Sequence, residues 1–245
     1  MTKAEIQYIR SLAEKRQRDS DKLFVAEGDK LIGEIIDSGL RLKKLYALEG
    51  HFPGHAEVIS PKEMERISQL KTASTSLAVV EQPHHSTPAS APKERLSLAL
   101  DGVQNPGNLG TIIRIADWFG IEDIFCSENS ADCYNPKVIQ ATMGAILRVR
   151  IHYLPLAKFL QRSATEGTPI YGTMLDGKNI YEADLSNKGV IVMGNEGRGV
   201  SQECVSTFSH SLLIPTYPAT RQSSESLNVA MATGIVCAEF RRRAR

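Results

Sequence analysis

The stretch that most limits what this chain can fold into is residues 190–242, near its end. Val190 to Met193 is a short apolar run that fits a buried strand. It breaks at Gly194-Asn195-Glu196-Gly197, which sets an amide and a carboxylate on a glycine-rich loop at the strand's end. Residues 211–214 read as a second short strand stopped by Pro215, and Ser226-Leu227-Asn228 opens the last helix after a long loop. Two strand ends and one helix start can converge there. In open α/β sheets ligands sit beyond the carboxyl ends of strands. Glycines admit a ligand close to the backbone, and a helix start offers unpaired N–H donors. Two ordinary turns and a helix cap account for the same spacing, so from spacing alone both readings stay open.

The segment before it alternates. Residues 96–100 form a strand, 101–110 a turn-rich loop, and 109–119 a helix stopped by Gly120. Arg114 lies in that helix among Ile112, Ile113 and Ile115, and either snorkels to water or is held for a partner. A strand at 122–126 follows. Asn135-Pro136 starts another helix, with asparagine as cap and proline at its first position. Strands at 147–152 and 170–173 flank a helix at 156–164. This order predicts a mostly parallel sheet covered by helices.

The first third reads as a smaller α/β unit. A helix over 4–18 puts Ile6, Ile9, Leu12 and Ala13 on one face and leaves Arg10, Lys15, Arg16 and Arg18 as a basic surface. Such a surface meets phosphates or simply water. Phe24-Val25 is a short strand. A helix over 29–38 turns Leu31, Ile32, Ile35 and Ile36 inward and stops at Gly39. A strand at 42–48 follows, then Ser60-Pro61-Lys62-Glu63, a capping box that opens a helix to about Leu70, then a strand at 77–80. Residues 82–93, QPHHSTPASAPK, have little to bury and read as a linker. The expected organisation is therefore a domain over 1–81, a linker over 82–93 and a second domain over 94–245.

The chemistry-bearing residues carry a resemblance. Asn105-Pro-Gly-Asn-Leu-Gly-Thr-Ile-Ile-Arg114, then GNEGRG at 194–199, then Ile214-Pro215 and SLNVAMATGI from Ser226 resemble the three ordered motifs of the SpoU (TrmH) family. Its members are S-adenosylmethionine-dependent RNA ribose 2′-O-methyltransferases of the SPOUT superfamily. More weakly, FVAEG after a basic helix is similar to the substrate-binding domain that precedes many of their catalytic domains. The resemblance implies an α/β SPOUT domain with a C-terminal trefoil knot, a homodimer through that domain, and S-adenosylmethionine as cofactor.

By the same resemblance Arg114 is catalytic, as proton acceptor or as stabiliser of the 2′-oxyanion, with Asn108 supporting it. A guanidinium has a pKa above about 12 and keeps its proton at neutral pH, which favours the stabilising role. Glu196 would orient Arg114 or the loop, and Ser226 and Asn228 would hold the hydroxyl or a phosphate. Met193, Gly194, Ile214 and Leu227 would line the cofactor pocket. Arg10, Lys15, Arg16 and Arg18 would bind RNA, and Lys137, Arg221 and the arginines of 241–245 would add to that surface. The loop over 215–225 is longer than is usual in the family, and Asn195 replaces a frequent serine. The separate N-terminal domain points to ribosomal RNA as substrate, with transfer RNA, or a non-catalytic RNA-binding protein of the same fold, as alternatives.

Composition bears on partners and compartment. The net charge is +1, so RNA binding must come from local patches. With 42% hydrophobic and 23% charged residues the chain reads as a globular protein. No apolar run approaches the ~20 residues of a membrane helix, and MTKAEIQYIR has no signal-peptide core. Four cysteines without a C-x-x-C pair suggest reduced thiols in a cytoplasm. No clustered His and Cys spacing suggests a metal. GNEGRG spaces its glycines unlike a dinucleotide fingerprint, and no Walker motif occurs.

Overall fold

A computed structural model describes residues 1–218 and 226–243 of the chain. They form two compact units, one of Met1–His85 with Asp132–Leu147, the other of Ser86–Ala131 with Arg148 onward.

The first unit opens with α1 (Lys3–Ser11) and α2 (Lys15–Asp21), then β1 (Leu23–Glu27), α3 (Asp29–Asp37), β2 (Leu42–Ala47), β3 (Glu57–Val58), α4 (Pro61–Ile67) and β4 (Ser76–Glu81). The sheet order is β1-β4-β2-β3, with β4 antiparallel to both neighbours. Ile6, Ile9, Val25, Met64, Ile67 and Leu77 share its core. The capping box forms as read: Ser60 Oγ accepts from the Glu63 amide while the Glu63 carboxylate accepts from the Ser60 amide.

The single helix expected over 4–18 is two helices. The break falls at 12–14, where the carbonyls of Leu12 and Ala13 accept from Arg18 Nη1 at 2.8 and 2.6 Å. The other side of that guanidinium pairs with Asp132 at 2.6 Å, and Arg18 is only 1% exposed. Arg18 therefore ties the first unit together and is withdrawn from the expected basic face, where Arg10, Lys15 and Arg16 are exposed.

The second unit starts at β5 (Leu96–Leu100), α5 (Pro106–Trp118) and β6 (Asp123–Ser127). The chain then contributes α6 (Pro136–Thr142) to the first unit, where it packs on β1 and Phe24 stacks on Tyr134. It returns through β7 (Arg150–Leu154), α7 (Leu156–Thr165), β8 (Ile170–Asn179), β9 (Gly189–Met193), α8 (Gln202–Val205), β10 (His210–Leu213) and α9 (Val229–Arg243). The six strands are all parallel, in the order β10-β8-β9-β5-β6-β7. β5, β6 and β9 are buried along their whole length, as central parallel strands must be.

Some boundaries differ from the sequence reading. α5 begins at Pro106 rather than Leu109, because Asn105 Oδ1 caps it by accepting from the amides of Gly107 and Asn108. β7 lies at 150–154, and β8 runs on to Asn179 past a register shift against β10. The expected linker is anchored at its far end, where the buried Ala91 donates its N–H to Ser163 Oγ. Among the described residues, no helix is long and apolar enough to cross a membrane.

Candidate active site

The carboxyl ends of the parallel strands gather three of the expected residues. Asn108 sits in the first turn of α5, Glu196 on the loop after β9, and Asn228 immediately before α9. Asn108 Nδ2 donates to Glu196 Oε1 at 2.7 Å, and Asn108 Oδ1 accepts from Asn228 Nδ2 at 3.0 Å. One asparagine amide thus joins all three sequence motifs, across 88 and 120 residues. The far end of Asn228 is also used: its Oδ1 accepts from the amides of Ala230 and Met231, which caps α9.

Two helix starts are brought side by side. Gly234 of α9 lies against Ile115 of α5, and Arg241 near the end of α9 donates to the carbonyls of Phe119 and Gly120 at the end of α5. With Asn228 on Asn108 at the other end, the helices run parallel, so both positive dipole ends face the same region. That is a favourable setting for an anionic group.

Arg114 is not part of the hydrogen-bonded chain. Six residues beyond Asn108 on a helix of 3.6 residues per turn, it points about 120° away from it. It is exposed and shares a face with Thr111, Ile115 and Trp118, where Gly234 and Phe119 complete a shallow depression. Among the described residues no hydrogen bond or ion pair holds its guanidinium. Glu196 therefore orients Asn108 and the loop, not Arg114 of the same chain. Ser226 is exposed beside Asn228. Arg221 and much of the loop over 215–225 lie outside the described residues, as do Ala244 and Arg245.

The residues expected to hold S-adenosylmethionine fit such a group by position and chemistry. Met193 ends β9 and Ile214 follows β10, both at the carboxyl edge of the sheet. Leu227, at the opening of α9, is 51% exposed and offers apolar surface. Gly194 must be glycine, because a Cβ there would lie 2.4 to 2.7 Å from the backbone of Gly199 and Val200. The strand end is thereby left as bare backbone, suited to polar contacts with a ligand.

Sequence reasoning missed what holds the loop. Asn195 Nδ2 donates to the Gly102 carbonyl at 2.7 Å, and Asp101 Oδ2 accepts from the Ser201 amide at 2.7 Å. The only sequence signal was an asparagine in place of a serine. The C-terminal arginines also behave differently from a free RNA-facing patch. Arg241 holds α5 as described, Arg243 donates to the carbonyl of Ala183 at 2.7 Å, and both Arg242 and Arg243 bond Glu239. The hydrogen bond from Arg242, then that from Arg243, holds the Glu239 carboxyl down at about 2.

Comparison with known proteins places the chain among RNA-methyltransferase relatives. Residues 95–238 match the model of the SpoU rRNA Methylase family, and residues 3–85 match that of the MRM3-like substrate binding domain. The 23S rRNA (guanosine(2553)-2′-O)-methyltransferase of Bacillus subtilis (strain 168) is 28% identical, over 95% of this chain and 94% of that protein. A TrmH-family protein of Porphyromonas gingivalis has a solved structure with a TM-score of 0.87 and 40% identity, covering 99% of each chain. An AdoMet-bound rRNA methyltransferase from Sinorhizobium meliloti superposes with a TM-score of 0.87 at 28% identity, over 100% of this chain and 97% of that one.

Proposed function

Because this chain belongs to the SpoU rRNA methylase family, we propose that it transfers a methyl group from S-adenosylmethionine to a ribose 2′-hydroxyl of ribosomal RNA. The observation that carries this reading is the Glu196–Asn108–Asn228 chain of hydrogen bonds, which assembles three motifs at the carboxyl ends of a parallel sheet.

Gly194 and Ile214 hold the cofactor through backbone groups at the ends of β9 and β10, and Met193 and Leu227 supply apolar contact. Bound there, the cofactor supplies a methyl group already activated on a sulfonium. The remaining task is to place the 2′-oxygen in line and to stabilise its developing charge. Arg114 donates to that oxygen or to a neighbouring phosphate. Its charge is permanent, so it acts as an electrostatic stabiliser rather than as a base. Asn228 and Ser226 hold the acceptor nucleotide beside the two helix starts.

The first unit presents the RNA through Arg10, Lys15 and Arg16, with Lys137 exposed on the same unit. Arg18 is excluded by its burial. The domain division at 82–93 follows this division of labour. The active form is a homodimer through the second unit. Trp118 of α5 is 85% exposed and Met231 of α9 is 64% exposed, on the helices that also carry Arg114 and Asn228. An apolar face of that kind on paired helices suits a second copy of the same chain. The trefoil knot belongs to the same reading. β10 is the edge strand, yet α9 returns to lie along α5, which follows β5 three places away in the sheet. Burial of all four cysteines suits a cytoplasmic setting.

The test is methyl transfer from labelled S-adenosylmethionine to protein-depleted ribosomal RNA and to transfer RNA, with nucleoside analysis after nuclease digestion. Label on a ribose 2′-oxygen of ribosomal RNA is expected. Label on transfer RNA alone would replace the substrate, and no cofactor binding would leave an RNA-binding protein without catalysis.

A further inference from the structure

Asn195 makes more site-building bonds than any role so far given to it requires. We propose that it is a positioning residue, which sets Glu196 against Asn108 by fastening the loop after β9 to the segment after β5. The inference rests on the methyltransferase reading above, and deepens it.

Every polar group of Asn195 is committed. Its backbone N–H and C=O pair with Gly199 at 2.9 and 3.0 Å, which closes the loop into a tight ring. Its Oδ1 accepts from the amides of Gly197 and Arg198 at 2.9 and 3.0 Å, which fixes the turn that follows Glu196. Its Nδ2 crosses to the Gly102 carbonyl at 2.7 Å, 93 residues away. The amide cannot turn over, because that would set its nitrogen against two N–H groups and its oxygen against a carbonyl.

The far anchor is itself rigid. The Gly102 amide donates to Ser127 Oγ at 2.8 Å, and Gly102 is buried with φ +69°, a left-handed conformation suited to glycine. Next to it, the Asp101 amide donates to the Met193 carbonyl at 2.9 Å, and the Asp101 carboxylate accepts from Ser201. The loop is therefore held on both flanks by residues 101 and 102, and Glu196, the next residue after Asn195, is carried between them. Three residues beyond Gly102, Asn105 caps α5 and sets Asn108. Asn195 thus ties together the two segments that bear the partners of the Asn108–Glu196 bond.

A serine cannot do this. Its hydroxyl can accept from one of the local amides, but it is shorter by the amide group that reaches Gly102. An aspartate keeps both local acceptor bonds and sets an oxygen against the Gly102 carbonyl, so it breaks the crossing bond alone.

The experiment compares wild type with Asn195→Asp, Asn195→Ser, Glu196→Ala and the double variant Asn195→Asp/Glu196→Ala. It measures kcat on ribosomal RNA, the S-adenosylmethionine Kd by calorimetry, and Tm. Both Asn195 variants are expected to lose about 10- to 100-fold in kcat, the scale of a misplaced catalytic group, with Kd changed less than about 3-fold. In the Glu196→Ala background, which lacks the acceptor for Asn108, Asn195→Asp is expected to cost no more than about 2-fold, because both act through one bond. Unchanged kcat in Asn195→Asp would overturn the proposal. So would a double variant that loses the product of the two single effects, or loss of cofactor binding in step with kcat. If wild type transfers no methyl group, the functional reading falls. The inference is then decided by a crystal structure of Asn195→Asp: Glu196 displaced from Asn108 supports it, and an undisturbed bond overturns it.

Discussion

Arg114 and Gly194 stand for two ways in which one residue would set the proposed site. Arg114 offers a charge that no group among the described residues neutralises. Arg114→Ala is expected to lower kcat by about 10²–10³-fold, the range for loss of one oxyanion donor, while the cofactor Kd stays within about 3-fold. Arg114→Lys is expected to recover little, since an ammonium has neither the reach nor the planar fork. Single-turnover methyl transfer alongside calorimetry checks both. Gly194 acts by having no side chain. Its absent Cβ would sit 2.4 Å from the Gly199 carbonyl carbon, a backbone atom that cannot swing aside. Gly194→Ala should therefore shift the whole loop, destabilise by about 1–3 kcal/mol as overpacking does, and weaken cofactor binding at least about 10-fold. Thermal melts with and without cofactor would show it: a variant that still gains the wild-type Tm shift on adding cofactor would refute it.

At the scale of elements, the parallel sheet has a different chemistry at each end. The carboxyl ends carry the proposed site. At the amino ends, Asp123 opens β6 and is 2% exposed, with Arg95 before β5, Arg150 at the start of β7 and His152 all bonded to it at 2.7 to 3.0 Å. Burial pushes its carboxyl up, but the bonds from His152, Arg150 and Arg95 outweigh that and hold it well below the usual carboxylate range. The sign follows from linkage. A carboxylate whose pKa is depressed on folding stabilises above its unfolded pKa of about 4, and the contribution is lost as pH falls below that. Asp123→Asn is expected to cost about 3 kcal/mol at pH 7, because it strands two arginines and a histidine. The Tm gap between wild type and variant should hold constant above about pH 5 and narrow as pH falls below about 4. A gap that stays constant with pH would show that Asp123 is not the titrating anchor.

For the whole molecule, what could be read in advance divides by range. Asn105-Pro106, Ser60-x-x-Glu63 and the break at Gly194 act on their immediate neighbours, so the caps, strand ends and motif loops were legible. Arg18 was misread because its partner Asp132 is 114 residues away. Residues 132–147 carry an ordinary capped helix, and nothing local says that it packs on β1 in the first unit. The Asn108 amide could be chosen by motif, but its two partners follow only from the sheet order. The same geometry leaves one question at the largest scale. Within a single chain Arg114 faces away from the Glu196–Asn108–Asn228 chain and lies on the face of Trp118. In a homodimer built on that face, Arg114 would serve the partner's site. Mixing inactive Arg114→Ala with inactive Asn228→Ala protein then decides the matter. Random re-pairing makes half of the dimers mixed, and each mixed dimer regains one intact shared site out of two. Activity should recover to about a quarter of wild type. If Arg114 serves its own chain, every site in the mixture lacks one residue and no activity returns. Trp118→Glu is the control. It should give a monomer by sedimentation, with the fold intact by circular dichroism, and should abolish the recovery in the mixture.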